Sequence, residues 1–234
     1  MEIRAIVFDK DGTLADFPAT FNPATARVIE HITKGDPALM SEVARAWDFD
    51  LETHAIGDTS VIIAGSSLDI TMAIEPFLDV GDPKVYSAFL DRLYGEICQS
   101  SVVAIAGVSA TLRELHGTGY RMAVATNDSE ANAVSQMQAL EFHGYFEKIF
   151  GADSGHGAKP GPGMIEAFLS HTGLEPPQVV MVGDSTHDLD AGRSAGVITC
   201  GVETGPAKRR ELEHAADIVL ASVAGLPAWL SSRV

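Results

Sequence analysis

Hydrophobic and polar positions follow two different patterns along the chain. The opening block, Ile3, Ala5, Ile6, Val7 and Phe8, is short, apolar and rich in β-branched residues, which predicts a buried strand. Helical periodicity follows it almost alone. Asn22-Pro23 begins a stretch whose apolar positions Ala26, Val28, Ile29 and Ile32 predict a helix ending at Gly35. Asp36-Pro37 reads as a cap with proline at the first helical position, opening a second helix through Leu39, Val43, Ala46 and Trp47. Residues 48 to 67 are mixed, with loop signals at Gly57-Asp58 and Gly65-Ser66-Ser67, and a helix pattern resumes over 68 to 78. Asp82-Pro83 repeats the cap signature ahead of the stripe Val85, Phe89, Leu93 and Ile97.

Beyond Gly107 the pattern changes to alternation. Strand-like blocks at 120–125, 148–150, 179–182, 197–202 and 218–220 are separated by helical stretches at 109–116, 129–140, 163–170, 186–195 and 208–214. Such alternation implies an α/β fold: a Rossmann-like parallel sheet covered by helices on both faces. The first strand finds no partner until after Gly107, so the helical stretch reads as an insertion. The expected division is a core domain of residues 1–17 and 103–234 and a helical cap domain of residues 18–102. Inserted directly behind the first strand, that segment would lie over the carboxyl ends of the strands as a lid.

The loop at the end of the opening strand, Asp9-Lys10-Asp11-Gly12-Thr13, stands where open α/β sheets bind ligands. Asp-Gly is also a common turn, but Leu14-Ala15-Asp16-Phe17-Pro18 makes a poor return strand. An EF-hand calcium loop is excluded, because its glycine falls at the sixth position and Gly12 is fourth from Asp9. Three later strand ends carry complementary groups: Thr126-Asn127-Asp128, Lys159 within Gly157-Ala158-Lys159-Pro160-Gly161-Pro162, and Gly183-Asp184-Ser185-Thr186-His187-Asp188. Singly, these are a helix cap, a solvated lysine and an N-cap with first-turn acids. Together, at one edge of a parallel sheet, they suit phosphoryl transfer.

A carboxylate attacks a phosphate dianion only when the repulsion is neutralised, which a hard divalent cation on oxygen ligands does. Asp9 and Asp184 would supply such oxygens to Mg²⁺, and Thr126 with nearby backbone N–H groups would hold the phosphoryl oxygens. Asp11 would protonate the leaving oxygen and later activate water.

Composition narrows the partners. A formal charge of −16 disfavours nucleic acid and anionic membrane, since binding phosphate backbones takes a basic patch. The two cysteines, Cys98 and Cys200, lack metal-type spacing, and no apolar run suits a membrane span or a signal segment, so a cytoplasmic protein, monomer or homodimer, is expected.

These four motifs, in this order, resemble those of the haloacid dehalogenase superfamily from end to end. The resemblance implies Asp9 as nucleophile, Asp11 as general acid/base, Thr126, Asn127 and Lys159 at the phosphate, and Mg²⁺ held by Asp9, Asp184 and the backbone carbonyl of Asp11. Asp188 would bind the metal through water or stand behind it. The helical insert is similar to the C1-type cap of phosphoglycolate phosphatases and β-phosphoglucomutases, and Asp11, which the dehalogenases lack, favours phosphate chemistry. The expected activity is hydrolysis of a small-molecule phosphate monoester, phosphoglycolate first, with a sugar phosphate mutase or, from another class, a phospho-accepting signalling module as alternatives. Lys10 departs from the usual apolar residue between the acids, and is expected either to face the cap and touch substrate or to be solvated. Lys34 and Lys84 lack the context of a Schiff-base lysine. His54, Asp58, Thr59, Ser66 and Ser67, in the irregular part of the insert, are the candidates for selecting the substrate.

Overall fold

The computed structural model describes residues 2–233. Strand β1 (Ala5–Phe8) opens the chain. The insert then holds α1 (Phe17–Thr33), α2 (Pro37–Ala46), the hairpin β2 (Phe49–Asp50) and β3 (Ala55–Ile56), α3 (Val61–Ala64), α4 (Ser67–Ile74) and α5 (Pro83–Gln99). Alternation follows: α6 (Val108–Gly117), β4 (Arg121–Ala125), α7 (Glu130–Ala139), β5 (Lys148–Phe150), α8 (Gly163–Thr172), β6 (Val179–Gly183), α9 (Thr186–Ser194), β7 (Ile198–Val202), α10 (Arg209–Ala215), β8 (Ile218–Leu220) and α11 (Leu226–Ser231). No described helix is long and apolar enough to cross a membrane.

Two compact units result, residues 1–16 with 103–234, and residues 17–102. The first is built on a six-stranded sheet in the order β5-β4-β1-β6-β7-β8, parallel at every pairing. Counting only its own strands, the order is 3-2-1-4-5-6, that of doubly wound nucleotide-binding sheets, and its direction reverses between β1 and β6.

Side-chain alternation sorts each strand between two cores. Ile6 and Phe8 join Met122, Val124, Val180 and Val182 under α6 and α11, whereas Ala5 and Val7 join Ala123, Ala125 and Met181 under α8. All four residues of β1 are fully buried, and complete burial of Phe8 alone contributes about 1.5–3 kcal/mol. A strand apolar on both faces is stable only in the middle of such a sheet. The unit closes on itself where the insert leaves it: Ala15 bridges Ala104 antiparallel, Asp16 N–H donates to Val103 O at 2.8 Å, and Ile105 N–H to Leu14 O at 3.1 Å.

The inserted unit has a separate core, with Val28 and Ile29 of α1, Trp47, Ile74 of α4 and Leu90 of α5 at its centre. Trp47 Nε1–H donates to Ile70 O at 3.0 Å, so the buried indole has its partner. Asp36 Oδ1 accepts from the N–H groups of Ala38 and Leu39, and Asp82 Oδ1 from Lys84 N–H, as both Asp-Pro signatures predict. Helix α4 ends at Ile74, short of the predicted 78, and three further features differ from the sequence reading. Helix α1 begins at Phe17, five residues before the predicted start, with Pro23 inside it; Phe17 and Phe21 stack at 4.8 Å one turn apart and extend the helix past the proline signal. The mixed segment contains the β2–β3 hairpin, whose turn is held by Asp50 Oδ1 accepting from Glu52 and Thr53 N–H. Helix α11, which covers one face of the sheet, follows the last predicted element.

Candidate active site

Register brings the motif loops level. Phe8 pairs with Val124 on one side and Val182 on the other, so Asp9 emerges beside the loops that begin at Thr126 and Asp184, at the point where the strand order reverses. The backbone fixes this start, with Asp9 N–H donating to Val182 O at 2.8 Å.

The loop after Asp9 turns back at once. Lys10 O accepts from Leu14 and Ala15 N–H at 2.8 and 2.9 Å, and Gly12 takes φ +83°, where a side chain is disfavoured. Space forbids one as well: a Cβ on Gly12 would lie 2.4 Å from Asp184 Oδ2. Thr13 Oγ1 donates to Asp184 Oδ1 at 3.0 Å, which locks the acid against this turn. A fifth loop, after β7, joins the four anticipated ones. Thr204 Oγ1 donates to Gly12 O at 2.6 Å, and a Cβ on Gly205 would fall 1.6 Å from Asp184 Oδ2. Neither residue belongs to a motif singled out in the sequence. The Gly205-Pro206 pair following an apolar strand that ends at the same edge is the signal that points to them.

Lys159 is buried and bridges two acids, with Nζ 2.5 Å from Asp9 Oδ1 and 2.6 Å from Asp188 Oδ1. Its place is set by Asn127, whose side chain accepts from Lys159 N–H at 2.8 Å and donates to Lys159 O at 3.0 Å. Asn127 thus spends its side-chain amide on the backbone of the lysine loop. Asp188 is held from behind, its Oδ2 accepting from Ser185 N–H at 3.0 Å and Ser185 Oγ at 2.6 Å. Thr126, also buried, accepts at Oγ1 from Asp128 N–H at 3.1 Å, which directs its hydroxyl proton elsewhere.

Lys10 is neither solvated nor available to a substrate. It is fully buried, with Nζ 2.6 Å from Asp11 Oδ2, 3.1 Å from Asp128 Oδ2 and 2.8 Å from Gln136 Oε1. Three ammonium donors therefore meet three oxygens of the core unit. Asp128 in turn accepts from Ser129 N–H and Asn132 Nδ2 through Oδ1, so the acid after Asn127 serves Lys10 and the start of α7.

The electrostatics follow from this packing. Burial pushes Asp9 up to about 6, aided by Asp188 and Asp11 and opposed by Lys159. Burial, then the charges of Asp9 and Asp188, holds Asp184 well above the usual carboxylate range. Burial also raises Asp11, against the pull of Lys10. For both lysines burial acts downward, but their paired acids outweigh it and keep them above the ordinary lysine value. Asp9, Asp184 and Asp188 each offer a carboxylate oxygen within 4.8 Å of the others. All three are hard oxygen donors, and with one lysine among them they leave two negative charges to be balanced, which suits a hard dication.

Within the inserted unit, the selector candidates are engaged locally. Thr59 bonds Asp48 through N–H and Oγ1, Ser66 caps α4 with Asp69, Ser67 Oγ donates to Asp91, and His54 stacks on Phe49, while Asp58 is exposed.

Residues 6–202 match the haloacid dehalogenase-like hydrolase family. The phosphoglycolate phosphatase of Salmonella typhimurium is 28% identical over 222 residues, covering 87% of this chain and 82% of that protein. That of Aliivibrio fischeri is 29% identical over 197 residues, covering 83% and 82%. Among solved structures, one described as a predicted phosphoglycolate phosphatase from Haemophilus somnus superposes with a TM-score of 0.73 at 23% identity over 98% of both chains. CbbY from Rhodobacter sphaeroides, in complex with phosphate, gives 0.70 at 22% identity over 96% of both. At these identities the two structures bear on the fold.

Proposed function

From its membership of the haloacid dehalogenase-like hydrolase family, to which the chain belongs, we propose that it is a Mg²⁺-dependent phosphatase of small phosphate monoesters, with phosphoglycolate the leading substrate. The observation that carries this reading is the convergence of Asp9, Asp184 and Asp188, the first and last of them bridged by Lys159, at the switch point of the sheet. The coverage of the phosphoglycolate phosphatases supports the substrate. Two buried free cysteines fit a cytoplasmic setting.

Asp9 and Asp184 would hold the metal through their side chains and Asp11 through its backbone carbonyl, with Asp188, both of whose oxygens are already engaged, standing behind them. Bound there, Mg²⁺ supplies the positive charge that lets a carboxylate approach a phosphate dianion.

The residues divide the remaining work. Lys159 orients Asp9 and adds a positive charge beside it. Thr126 Oγ and the backbone N–H groups of its loop bind the phosphoryl oxygens. A carboxylate oxygen of Asp9 attacks phosphorus while the bond to the ester oxygen breaks, and the departing oxygen takes the proton of the Asp11 carboxyl. Asp11, now a carboxylate, then removes a proton from water as that water attacks the phosphorus of the aspartyl phosphate. The bond from phosphorus to Asp9 breaks, releasing phosphate and restoring Asp9.

Phosphate release from a panel of esters including phosphoglycolate, β-glucose 1-phosphate and p-nitrophenyl phosphate tests this. Turnover is expected to require Mg²⁺ and to vanish in Asp9→Asn, with phosphoglycolate preferred. Full activity in excess EDTA, or in the variant, refutes the mechanism; preference for another ester refutes only the substrate.

A further inference from the structure

Among the described residues, one buried side-chain polar atom lacks a hydrogen-bond partner, and it is Asp11 Oδ1. The other oxygen of the same carboxylate is 2.6 Å from Lys10 Nζ. Buried polar atoms are nearly always partnered, so an orphan beside a twin held by an ammonium marks an oxygen kept for something that comes and goes. The ammonium that holds the twin is itself fixed by Asp128 Oδ2 of the loop after β4 and by Gln136 Oε1 of α7, the latter 126 positions away in the chain.

We propose that Lys10 is a positioning residue for Asp11: braced by Asp128 and Gln136, it pins Oδ2 and leaves Oδ1 as the single oxygen that carries the proton to the leaving group and takes one from water. The inference rests on the role given to Asp11 above. It assigns to this chain a device that an apolar residue between the two acids cannot provide, since such a residue leaves both oxygens of Asp11 free to exchange places by rotation about χ2. A terminal torsion of that kind is broad and two-fold, so without the lysine the reactive oxygen spends part of its time misplaced. Lys10 does not touch the substrate, because its three donors are matched within the core unit. Its effect must therefore appear in proton transfer and leave substrate affinity alone.

Lys10→Met tests this by rapid quench on two esters. Phosphoglycolate releases an alkoxide and needs its proton; the nitrophenolate of p-nitrophenyl phosphate leaves with little help. Positioning predicts that kcat on phosphoglycolate falls by about 10- to 100-fold, a part of the roughly 100- to 10,000-fold that general acid/base catalysis supplies, with KM changed less than about threefold. On the nitrophenyl ester the first step persists while the attack of water slows, so a burst of nitrophenol near one equivalent per site appears. Equal slowing on both esters without a burst, or a loss confined to KM, overturns the inference.

Because Lys10→Met strands Asp128 beside Asp11, Lys10→Met/Asp128→Asn is measured alongside and is expected to show the same contrast between esters. Wild-type rates on both esters in the double variant would mean that Lys10 only neutralises Asp128, which also overturns it. Asp11→Asn, run in the same assay, separates the two levels. If Asp11→Asn discriminates between the esters and the Lys10 variants do not, the positioning role alone fails. If Asp11→Asn does not discriminate either, the acid/base reading fails and the inference with it.

Discussion

Replacing Lys159 by methionine keeps the apolar stem and removes the ammonium that sits between Asp9 Oδ1 and Asp188 Oδ1. The three side chains are at most 9% exposed, so water screens them little. Breaking one side of a buried ion pair typically costs about 3–5 kcal/mol. The metal-free protein has an escape, which is to bind a proton on the stranded acids. Holding a proton at pH 7 on a carboxyl whose ordinary value is 3.8 costs the fold about 4 kcal/mol relative to the unfolded chain, and about 1.4 kcal/mol less for each unit of acidification. The sign follows from linkage: wild-type Asp9, raised to about 6, already holds a proton below that pH, so the variant's deficit from the stranded carboxylate is flat below pH 6 and grows by about 1.4 kcal/mol for each unit above it. Urea unfolding of both proteins in EDTA between pH 5 and 8 measures this. A deficit that is level between pH 5 and 6 and about 1.4 kcal/mol larger at pH 7 is expected. A deficit below about 1 kcal/mol at pH 7, or one independent of pH, refutes the argument that this lysine holds two buried carboxylates in place.

Gly205→Ala puts a Cβ 1.6 Å from Asp184 Oδ2 and must displace that acid; a shift of about 1 Å in a reacting group is worth on the order of 100-fold in rate, so turnover is expected to fall by about that much while urea unfolding stays cooperative. In the metal-free protein, Asp9 with a folded value of about 6 contributes stability that is fully present below pH 4 and lost as pH rises through 6; Asp9→Asn, which cannot titrate, should therefore gain about 3 kcal/mol on wild type between pH 4 and 8 in EDTA, and parallel pH profiles would refute the shift.

What was legible in the sequence was whatever depends on short-range pattern. Strand β1 announced itself because a central strand must be apolar on both faces, and the two Asp-Pro caps because proline and a side-chain acceptor act within three residues. The site residues lie on four motif loops, of which the register of β1, β4 and β6 brings three level, while the Lys159 loop follows β5, paired beside β4. What escaped depends on distance in sequence. Nothing local to Lys10 shows that Asp128 and Gln136 wait for it, so both local readings, solvent or substrate, missed its burial. Thr204 acts on Gly12 from 192 positions away, across a sheet edge that only the full strand order defines. At Pro23 a local rule pointed the wrong way, because tertiary packing and the Phe17–Phe21 stack outweighed one proline.

The antiparallel bridge of Ala15 with Ala104, and the bond from Asp16 to Val103, bear on how such a chain acquires its insert. A segment whose two ends are already clasped by the scaffold adds a closed loop, and the entropy of closing a loop grows only with the logarithm of its length, about 0.6 kcal/mol for each doubling. Against a four-residue turn, residues 17–102 amount to between four and five doublings, so closing them costs the sheet about 3 kcal/mol more. The clasp is a graft point, at which a change in the length of the insert costs the sheet only a few kcal/mol of closure entropy.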